Sequence, residues 1–339
     1  MTLVLIVAGL LLLVVCFADA VTTTLIAGAG GGPLTRTLSR RSWQVLLRLS
    51  RGRPGILLTI GGPLVLLSTV LVWVGLLWAG WALVFVTAET SIVDSTSRAP
   101  TGVVERVYFA GFTVFTLGIG DYIPVGAVWQ LATAVASFSG LFLVTLSITY
   151  LLSVVTAVVS GRRFAASLHL NGNTGAELVL LHCHEGRVSD ELATRLQSLA
   201  EEVVASAQQH LAYPVLHFFH ATDERSSTPR ALAALDDALL LAASGLAPDQ
   251  RPPASATVPL RNALDFYVET VEAGTVRADD RPPPPELDVL RSAGVPVVDD
   301  DEFAEAVDAC ARKRTRILRL LVSDGRSWPA RPVADRASV

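Results

Sequence analysis

One short segment of the sequence has the residue types and the spacing to bind a metal cation through its backbone. It reads Thr-Leu-Gly-Ile-Gly-Asp and runs from Thr116 to Asp121. When several copies surround an ion, carbonyls that face inward can replace the hydration shell of potassium. Gly118 and Gly120 permit backbone angles that residues with a Cβ reach poorly, and Ile119 between them points away from the ion. The segment therefore predicts a potassium filter, to which Thr116 adds a hydroxyl oxygen.

The residues before this segment favour a filter over an ordinary glycine turn. Residues 104–115 are apolar and aromatic, but they are too few to cross a membrane, for which about 20 are needed. Such a stretch is typical of a re-entrant helix that enters the membrane and turns back. Irregular backbone at membrane depth is tolerated only where protein buries it or where it lines a wet cavity.

Composition divides the chain into a membrane half and an acidic half. The 339 residues are 51% hydrophobic and the mean hydropathy is +0.49, which is high for a soluble protein of this size. Residues 1–160 carry eight arginines and five acidic residues, whereas residues 161–339 carry 19 basic and 26 acidic ones. An acidic domain argues against a nucleic-acid partner. The single lysine is typical of a GC-rich bacterial genome, and three scattered cysteines imply no disulfide framework.

Three stretches are long and apolar enough to span a membrane, at about 3–27, 56–86 and 129–159. The filter segment lies between the second and the third. The first 20 residues also resemble a signal peptide, because Ala18-Asp19-Ala20 is a small-x-small cleavage pattern, although the basic start of such peptides is missing. Residues 1–30 are therefore expected to be a transmembrane helix, with a cleaved leader as the alternative.

Arginines set the expected orientation of the spans. The connection between the first two spans is rich in them and two more follow the third span, whereas the connection with the filter has only Arg98 and Arg106. The positive-inside rule places the N-terminus outside and residues 161–339 in the cytoplasm, so that the filter segment enters from the outer face. The arginines of the first connection are Arg36, Arg40, Arg41, Arg48, Arg51 and Arg53.

Residues 31–55 are expected to form a basic cytoplasmic linker. On a helical wheel its apolar residues share one face and most of the arginines lie opposite. An amphipathic helix on anionic lipid, over Arg36–Arg53, is one interpretation, and an ordinary basic loop that only fixes topology is the other. The segment is too short for a voltage-sensing helix, which needs arginines at every third position of a full span.

The filter and its flanks resemble the potassium channel pore family, whose filter reads T-V-G-Y-G-D. The resemblance implies an outer helix over 56–87, a pore helix and filter over 104–124 and an inner helix over 128–160, which together make a pore domain over 56–160. Each chain supplies one filter and the ion site needs four, so a homotetramer is implied. The expected fold class is an all-α membrane protein with the tetrameric pore-loop cation channel fold. The filter would comprise Thr116, Leu117, Gly118, Ile119, Gly120 and Asp121.

The same resemblance implies roles for residues around the filter. Tyr108 and Phe109 occupy the positions of an aromatic cuff, and Phe112 occupies a position that is a buried glutamate in some members. Asp121 would concentrate cations at the outer mouth, with a plain turn carboxylate as the alternative. The pore helix would point its negative end at the central cavity and favour a cation there.

On the inner helix, Gly140 lies 20 residues beyond Gly120, which is the offset of the family's hinge glycine. Close helix packing is the alternative explanation for this glycine. Thr145 and Thr149 lie one turn apart and are candidates for lining the cavity. Their hydroxyls could equally bond back to their own helix.

Residues 161–339 are expected to form a mostly helical regulatory or assembly domain. Apolar spacing predicts a helix after Ser189 and another from Thr228-Pro229 to Gly245. Further helices are predicted at about 259–273, 285–293 and 301–322, and short strands at 177–182 and 215–219. In the last helix, acids at the start and arginines near the end would complement the helix dipole. These arginines are Arg314, Arg316 and Arg319.

This half shows no pattern of an enzyme or of a cofactor domain. It has no G-x-G-x-x-G after a strand, which argues against a nucleotide site, and no catalytic constellation stands out. Scattered histidines are a better explanation than a metal site for the group at 182–220. That group comprises His182, Cys183, His184, His217 and His220.

The sequence therefore predicts a multi-pass potassium channel of a bacterial cell membrane that conducts passively and needs no cofactor. The first alternative is a weakly selective cation channel, which a reversal potential under potassium and sodium gradients would separate. The second is a non-conducting, membrane-anchored sensor or scaffold, which would show no potassium flux from a folded tetramer.

Overall fold

Long apolar helices dominate the computed structural model, which describes residues 2–26, 31–50, 60–221, 223–271 and 281–329, with the backbone alone at 43, 44 and 46–50. The chain divides into two units. The membrane unit comprises residues 1–49, 60–155 and 212–218, and the second unit comprises the remainder. Arg51 and Arg53 of the basic linker lie outside the described residues.

Among the described residues, three helices are long and apolar enough to cross a membrane. They are α1 (Thr2–Leu25), α3 (Gly61–Val86) and α5 (Gly126–Asn171). A helix satisfies every backbone polar group within its own segment, which a bilayer requires. Between α1 and α3 lies α2 (Pro33–Ser50), which begins with proline because the first helical N–H has no partner within the helix. The protein is an all-α membrane protein.

The N-terminal span α1 packs against α3 through a pair of glycines. A Cβ on Gly9 would lie 2.7 Å from the Gly80 carbonyl oxygen, and a Cβ on Gly80 would lie 2.8 Å from the Leu13 side chain. Small residues let helix backbones approach closely in membranes, where packing and hydrogen bonds drive helix association. Cys16 and Ala20 are buried on the same face of α1. The first span is therefore a packed part of the membrane unit.

The connection between α3 and α5 holds the filter segment between a short helix and a short strand. Helix α4 (Val103–Val114) lies where a pore helix was predicted. Strand β1 (Ile92–Asp94) pairs antiparallel with β2 (Tyr122–Pro124), with Val93 opposite Ile123. The end of the filter segment is thus tied to the loop that follows α3.

The third span is longer than predicted, because α5 continues to Asn171 instead of ending near residue 160. Its 46 residues correspond to a length of about 69 Å, whereas a bilayer core is about 30 Å thick. The helix belongs to the membrane unit as far as Val155 and to the second unit from Thr156 onwards. Arg162 and Arg163 do not end it, since arginine is a good helix former.

The second unit is a bundle of helices around α8 (Thr228–Leu240). Every residue of α8 from 231 to 240 is buried, and Leu196, Val203, Leu232 and Leu264 lie in the same apolar core. Between α6 (Gly175–Leu180) and α7 (Glu191–Ala212), two strands of two residues each pair as an antiparallel hairpin. The elements are α6 (Gly175–Leu180), β3 (Cys183–His184), β4 (Arg187–Val188), α7 (Glu191–Ala212), α8 (Thr228–Leu240), α9 (Ala254–Val271), α10 (Leu287–Ser292), α11 (Asp300–Ala309) and α12 (Ala311–Ser323).

Two helices of this unit have their apolar faces where the spacing predicted them. The Ser189 hydroxyl accepts from the Glu191 N–H at 3.1 Å, and the apolar face of α7 at residues 192, 196, 199 and 203 is buried. Helix α8 is capped by Ser227, whose hydroxyl accepts from the Arg230 N–H at 3.5 Å. It ends in a π-helical turn at Leu241–Gly245, so the predicted stop at Gly245 is confirmed.

Both strands predicted in this half are wrong. Residues 175–180 form helix α6, because the Thr174 hydroxyl accepts from the Glu177 N–H at 3.3 Å and the Glu177 carboxylate accepts from the Asn173 N–H at 2.7 Å. Such reciprocal bonds start a helix. Residues 214–218 form a 3₁₀ helix that begins at Pro214. A short apolar run does not distinguish a strand from a buried helix.

The single helix predicted over 301–322 is also wrong, because the chain bends at Cys310 between α11 and α12. Asp299 caps α11 by accepting from the Glu302 N–H at 2.8 Å, as its acidic start indicated. Arg314 lies in the first half of α12, not near the end of one long helix. Its buried side chain instead bridges Asp236 at 3.3 Å and Asp237 at 2.6 Å.

Helix α9 begins at Ala254, five residues before the predicted start at Pro259. Proline has no N–H to donate to the carbonyl four residues earlier. That carbonyl, of Ser255, accepts from the Gln197 side-chain amide at 3.4 Å instead. A side chain of a neighbouring helix therefore supplies a donor for the carbonyl that the interior proline leaves open.

Candidate ion pathway

A buried arginine positions the beginning of α4. Arg106 is 5% exposed, and its guanidinium donates to the carbonyls of Thr101 at 2.9 Å, Gly102 at 3.1 Å and Val86 at 2.9 Å. Val86 is the last residue of α3, and helix ends leave such carbonyls without partners. From the sequence, Arg106 was interpreted only as a positive charge of the outer connection. The signal that could have revealed its role is an arginine in the first turn of a helix that is apolar after it.

At its other end, α4 leads directly into the filter segment. The Thr116 N–H donates to the Thr113 carbonyl at 3.1 Å, and the Leu117 N–H donates to the Phe112 carbonyl at 2.8 Å. The last turn of the helix therefore fixes the first two residues of the filter. The negative end of the α4 dipole lies at this junction.

The backbone of the filter segment alternates in handedness. The φ angle is positive at Thr116 (57°), Gly118 (60°) and Gly120 (85°), which is every second residue. Alternating right- and left-handed residues turn successive peptide groups to the same side, whereas a strand would turn them to opposite sides. A positive φ at threonine is uncommon, and such strain concentrates at functional sites. The segment thus has the alternation that a row of carbonyls on one side requires.

The glycines of the filter are needed for their backbone angles and not for space. A Cβ on Gly118 or Gly120 would meet no atom within 4 Å. In the single chain the filter residues 116–121 are exposed, and Leu117 is 64% exposed although it is apolar. The side chains that would cover Leu117 and Ile119 are therefore not supplied by the described residues of this chain.

Aromatic rings pack on and around α4. Phe109 and Phe112 are buried with their ring centroids 5.1 Å apart, and Phe109 lies 5.0 Å from Phe85 of α3. The exposed Tyr108 lies 5.3 Å from Phe112 and 6.2 Å from Tyr122 of β2. These pairs are edge-to-face, which aromatic quadrupoles favour. Tyr108 therefore connects the pore helix with the strand that follows the filter.

Two tryptophans of α3 bond to the pore helix and to the inner helix. The sequence analysis did not identify either tryptophan as a functional residue. The Trp78 indole N–H donates to the Val107 carbonyl at 3.1 Å, and that of Trp81 donates to the Ser139 hydroxyl at 3.0 Å. Trp81 is buried, and buried indoles usually find such a partner, whereas Trp78 is exposed in the single chain. The available signal was the presence of several tryptophans within one apolar span.

Gly140 lies against the C-terminal end of the pore helix. A Cβ there would overlap the Val114 carbonyl of α4. Of the two explanations of this glycine, close helix packing is therefore supported by a direct contact. A hinge at the same position stays a prediction.

Thr145 and Thr149 are exposed in the single chain, and their hydroxyls bond back along α5. Thr145 donates to the Leu141 carbonyl at 2.9 Å, and Thr149 donates to the Thr145 carbonyl at 3.0 Å. These bonds satisfy the hydroxyl hydrogens and leave the oxygen lone pairs outward. A role in lining a cavity stays a prediction.

Carboxylates gather where the filter segment ends. Asp94 accepts from the N–H of Ser97 at 2.7 Å and from its hydroxyl at 2.9 Å, and these bonds hold the pKa of the carboxyl below its usual range. Desolvation, followed by the carboxylates of Glu105, Asp94 and Asp121, raises the pKa of Tyr122. The chain around the end of the filter segment is therefore acidic.

The basic linker is helical over residues 33–50, so the interpretation as an ordinary loop is wrong for those residues. Arg40 and Arg41 are exposed on α2, and Leu38 is half-buried. The side chain of Arg48 lies outside the described residues, as do Arg51 and Arg53. Binding of anionic lipid to this helix stays a prediction.

The histidines of the candidate metal group have other neighbours. His182 Nδ1 lies 3.1 Å from the Leu178 carbonyl, and His220 Nδ1 lies 2.6 Å from Asp324. Cys183 and His184 form β3, and His217 lies 5.6 Å from the Phe218 ring. Within the described ranges, no three or more His, Cys, Asp and Glu side chains are grouped to hold a metal.

Comparison with known proteins adds two similarities to this geometry. A protein family described as "Ion channel" matches residues 65–157, which include α4, the filter segment and most of α3. The chain is 34% identical over 330 residues to a protein of Bacillus subtilis (strain 168) described as "Uncharacterized membrane protein YdjJ". The alignment covers 97% of this chain and 96% of that relative. No solved structure matches the chain.

Proposed function

This chain belongs to the family of two-span, pore-loop ion channels, and we propose that it is a potassium-selective channel of a bacterial cell membrane. It conducts passively, without a cofactor and without catalysis. The observation that carries the proposal is the filter segment, in which the sequence Thr-Leu-Gly-Ile-Gly-Asp coincides with a positive φ at every second residue. A row of backbone carbonyls is the ligand set that replaces the hydration shell of potassium.

Selectivity for potassium follows from the residue types in the filter. The two glycines and Thr116 supply the backbone angles and one hydroxyl ring, and Ile119 leaves the carbonyls as the ligands. An acidic side chain in place of Ile119 would add a charged site and weaken the discrimination between cations. The filter thus relies on carbonyl dipoles, whose number and field strength are suited to potassium.

A homotetramer is proposed because one chain leaves the ion site incomplete. Residues 116–121 are exposed in the single chain, and an ion needs carbonyls from several sides. The inner helix also exposes an apolar stripe at alternating spacings of three and four residues, which is the pattern of a helix–helix seam. The stripe includes Val128, Leu131, Val135 and Phe138.

We place the N-terminus outside and the second unit in the cytoplasm, according to the distribution of arginines. The outer connection then contains the acidic mouth with Asp94 and Asp121, which attracts cations. Helix α2 then lies on the cytoplasmic side, where anionic lipids attract basic segments. The second unit regulates or assembles the channel.

The proposal is tested by the reversal potential of the purified protein in lipid under opposing potassium and sodium gradients. Gly120→Ala is expected to reduce the permeability ratio by at least about tenfold, because a Cβ strains the positive φ and displaces a carbonyl ring. Gly126→Ala is the matched control, since Gly126 has a φ of 76° and equally open surroundings but lies outside the filter. It is expected to retain the wild-type ratio.

Equal permeability of the wild type for the two ions would make the protein a weakly selective cation channel. A folded tetramer that carries no flux would make it a membrane-anchored sensor or scaffold. Cross-linking in lipid measures the assembly independently, and a species other than four copies would contradict the proposed ion site.

A further inference from the structure

A carboxylate near the end of the first span contacts two other helices of the membrane unit. Asp19 of α1 is 1% exposed. It accepts from the Leu34 N–H at 2.8 Å, from the Thr35 hydroxyl at 2.6 Å and from the Trp73 indole N–H at 2.9 Å. The Thr35 N–H lies 3.2 Å from one carboxylate oxygen and 3.3 Å from the other. An acidic side chain inside a membrane span is costly and is by default functional.

These bonds make α1 the cap of α2. The first N–H groups of a helix have no partner within it, and Pro33 has no N–H. The Leu34 and Thr35 N–H groups bond to Asp19, and the Gly32 N–H donates to the Thr23 hydroxyl at 2.8 Å. A negative side chain also complements the helix dipole there. The N-terminus of α2 is therefore bound to the membrane span.

At Gly32 the backbone lies directly against the Asp19 carboxylate. A Cβ on Gly32 would overlap the Asp19 carboxylate. The glycine is therefore required by the approach of the carboxylate to the backbone of the α2 start.

The contacts continue from Asp19 to the inner helix. Trp73 of α3 is buried, and its ring centroid lies 6.0 Å from that of the buried Tyr150 of α5. The Trp73 carbonyl also accepts from the Cys16 thiol of α1 at 3.2 Å. Trp73 is therefore bound to α1 by two hydrogen bonds, one to Asp19 and one to Cys16. Asp19, Trp73 and Tyr150 thus form a packed series from the start of α2 to the helix that carries Gly140, Thr145 and Thr149.

The exposed side of α2 is suited to an anionic bilayer surface. Residues 33–50 contain four arginines and no acidic residue, and Arg40 and Arg41 are exposed. Because Asp19 binds the start of α2 to a membrane span, these charges are held near the headgroups. Juxtamembrane arginines are attracted there by anionic lipid.

We propose that Asp19 is a positioning residue through which anionic lipid on α2 acts on the inner helix, so that ion flux depends on the anionic lipid content. Flux as the readout rests on the proposed function, whereas the coupling itself is a property of the membrane unit. The Trp73 indole links Asp19, at the start of α2, to Tyr150 of α5. Without this indole, lipid would still bind α2, but its binding would no longer affect α5.

The test uses the full chain in vesicles of phosphatidylcholine, with and without phosphatidylglycerol, and measures potassium flux. Wild-type flux is expected to change by about fivefold or more between the two lipids, a usual size for coupling between sites. Trp73→Phe keeps a ring against Tyr150 but removes the donor to Asp19, and it is expected to abolish this dependence, as is Asp19→Asn. Combining the two is expected to add nothing to either alone.

Two further variants identify the lipid contact and control for the position. Arg40→Gln with Arg41→Gln changes exposed residues only, and it is expected to abolish the lipid dependence without loss of folding. Thr22→Ala is the matched control, because Thr22 lies at the same end of α1 but its hydroxyl donates to the Ala18 carbonyl of its own helix. Soluble glycerol phosphate, which carries the headgroup charge without a bilayer, is expected to have no effect.

A second readout keeps the test independent of conduction. Thermal unfolding in detergent, with and without phosphatidylglycerol, is expected to show a lipid-dependent shift in the wild type that Trp73→Phe reduces but does not abolish, because lipid still binds α2 and stabilises it without acting on α5. An unchanged lipid dependence of flux in Trp73→Phe and Asp19→Asn would overturn the coupling and leave the channel intact. A shift in unfolding that depends on Trp73, in a protein without flux, would support the coupling and overturn the channel.

Discussion

At the scale of single residues, the membrane unit is held by polar side chains that satisfy distant carbonyls or N–H groups. Arg106 binds three carbonyls at the junction of α3 and α4, and Trp78 binds the next turn of α4. In a low-dielectric region such bonds are stronger than in water, and leaving one partner without the other is expensive. The orientation of the pore helix therefore depends on a few side chains.

Arg106→Gln is expected to destabilise the protein by about 3 kcal/mol, because buried hydrogen bonds to a charged group are lost and carbonyls are left without donors. Thermal unfolding in detergent measures this effect. Arg98→Gln is the control, since Arg98 is an exposed arginine of the same connection. Equal unfolding temperatures for the two variants would show that the carbonyls around Arg106 find other donors.

At the scale of elements, glycines set the distances between helices. Gly9 and Gly80 bring α1 onto α3, and Gly140 brings α5 onto the end of α4. In membranes such close approach gives dispersion contacts that larger side chains prevent. The inner helix thus touches the pore helix at the residue that the family resemblance identifies as a hinge.

Gly140→Ala is expected to lower both the thermal stability and the potassium flux, because the new methyl group overlaps the Val114 carbonyl and forces α5 away from α4. Gly75→Ala is the matched control, since a Cβ on Gly75 of α3 meets no atom within 4 Å. It is expected to be neutral, as alanine favours helix. A Gly140→Ala protein as stable as the wild type but with altered gating would support the hinge instead.

At the scale of the whole molecule, each unit has its own core. The family match ends at residue 157, close to the boundary of the membrane unit at Val155. In the second unit, buried Arg314 binds Asp236 and Asp237, and its guanidinium lies 4.7 Å from the centre of the Trp328 ring. The Trp328 indole also donates to Asp237 at 2.8 Å. This cluster joins α12 and the chain after it to the central helix α8.

The stability of the second unit is expected to fall as pH rises from about 4 to about 7. Burial raises the pKa of Asp237 to about 7, against the opposing effect of Arg314, whereas an unfolded aspartate has a pKa of about 3.9. Between these values the folded state binds the extra proton, so raising the pH costs stability until about pH 7 and no further above it. Hydrogen exchange of α12 across this range measures the effect.

Asp237→Asn is the matched variant for this pH dependence, because the amide has the same shape and does not titrate. It is expected to flatten the decline between pH 4 and pH 7 while α12 stays protected. If the stability of the variant falls by the same amount between pH 4 and pH 7, the pH dependence arises from other carboxyl groups.

Local patterns in the sequence were sufficient for several elements and insufficient for most contacts. Apolar length indicated the spans, and spacing from residue 192 to 203 indicated α7, because these signals lie within one segment. The helix at 175–180 was missed although its capping residues Thr174 and Glu177 are a local signal, and the bend at Cys310 was missed as well. Asp19, Arg106 and Arg314 each bind at least one partner that lies between 15 and 78 positions away, and no local pattern identifies such partners.

The sequence by itself determined the membrane character of the chain and the residues of the candidate filter, because hydrophobic length and glycine spacing are local properties. Tertiary structure alone decided that α1 packs on α3, that Asp19 caps α2 and that Gly140 touches the pore helix. The reason is physical: the energy of a buried carboxylate or a glycine contact depends on the atom it meets. That atom is known only once the helices have packed.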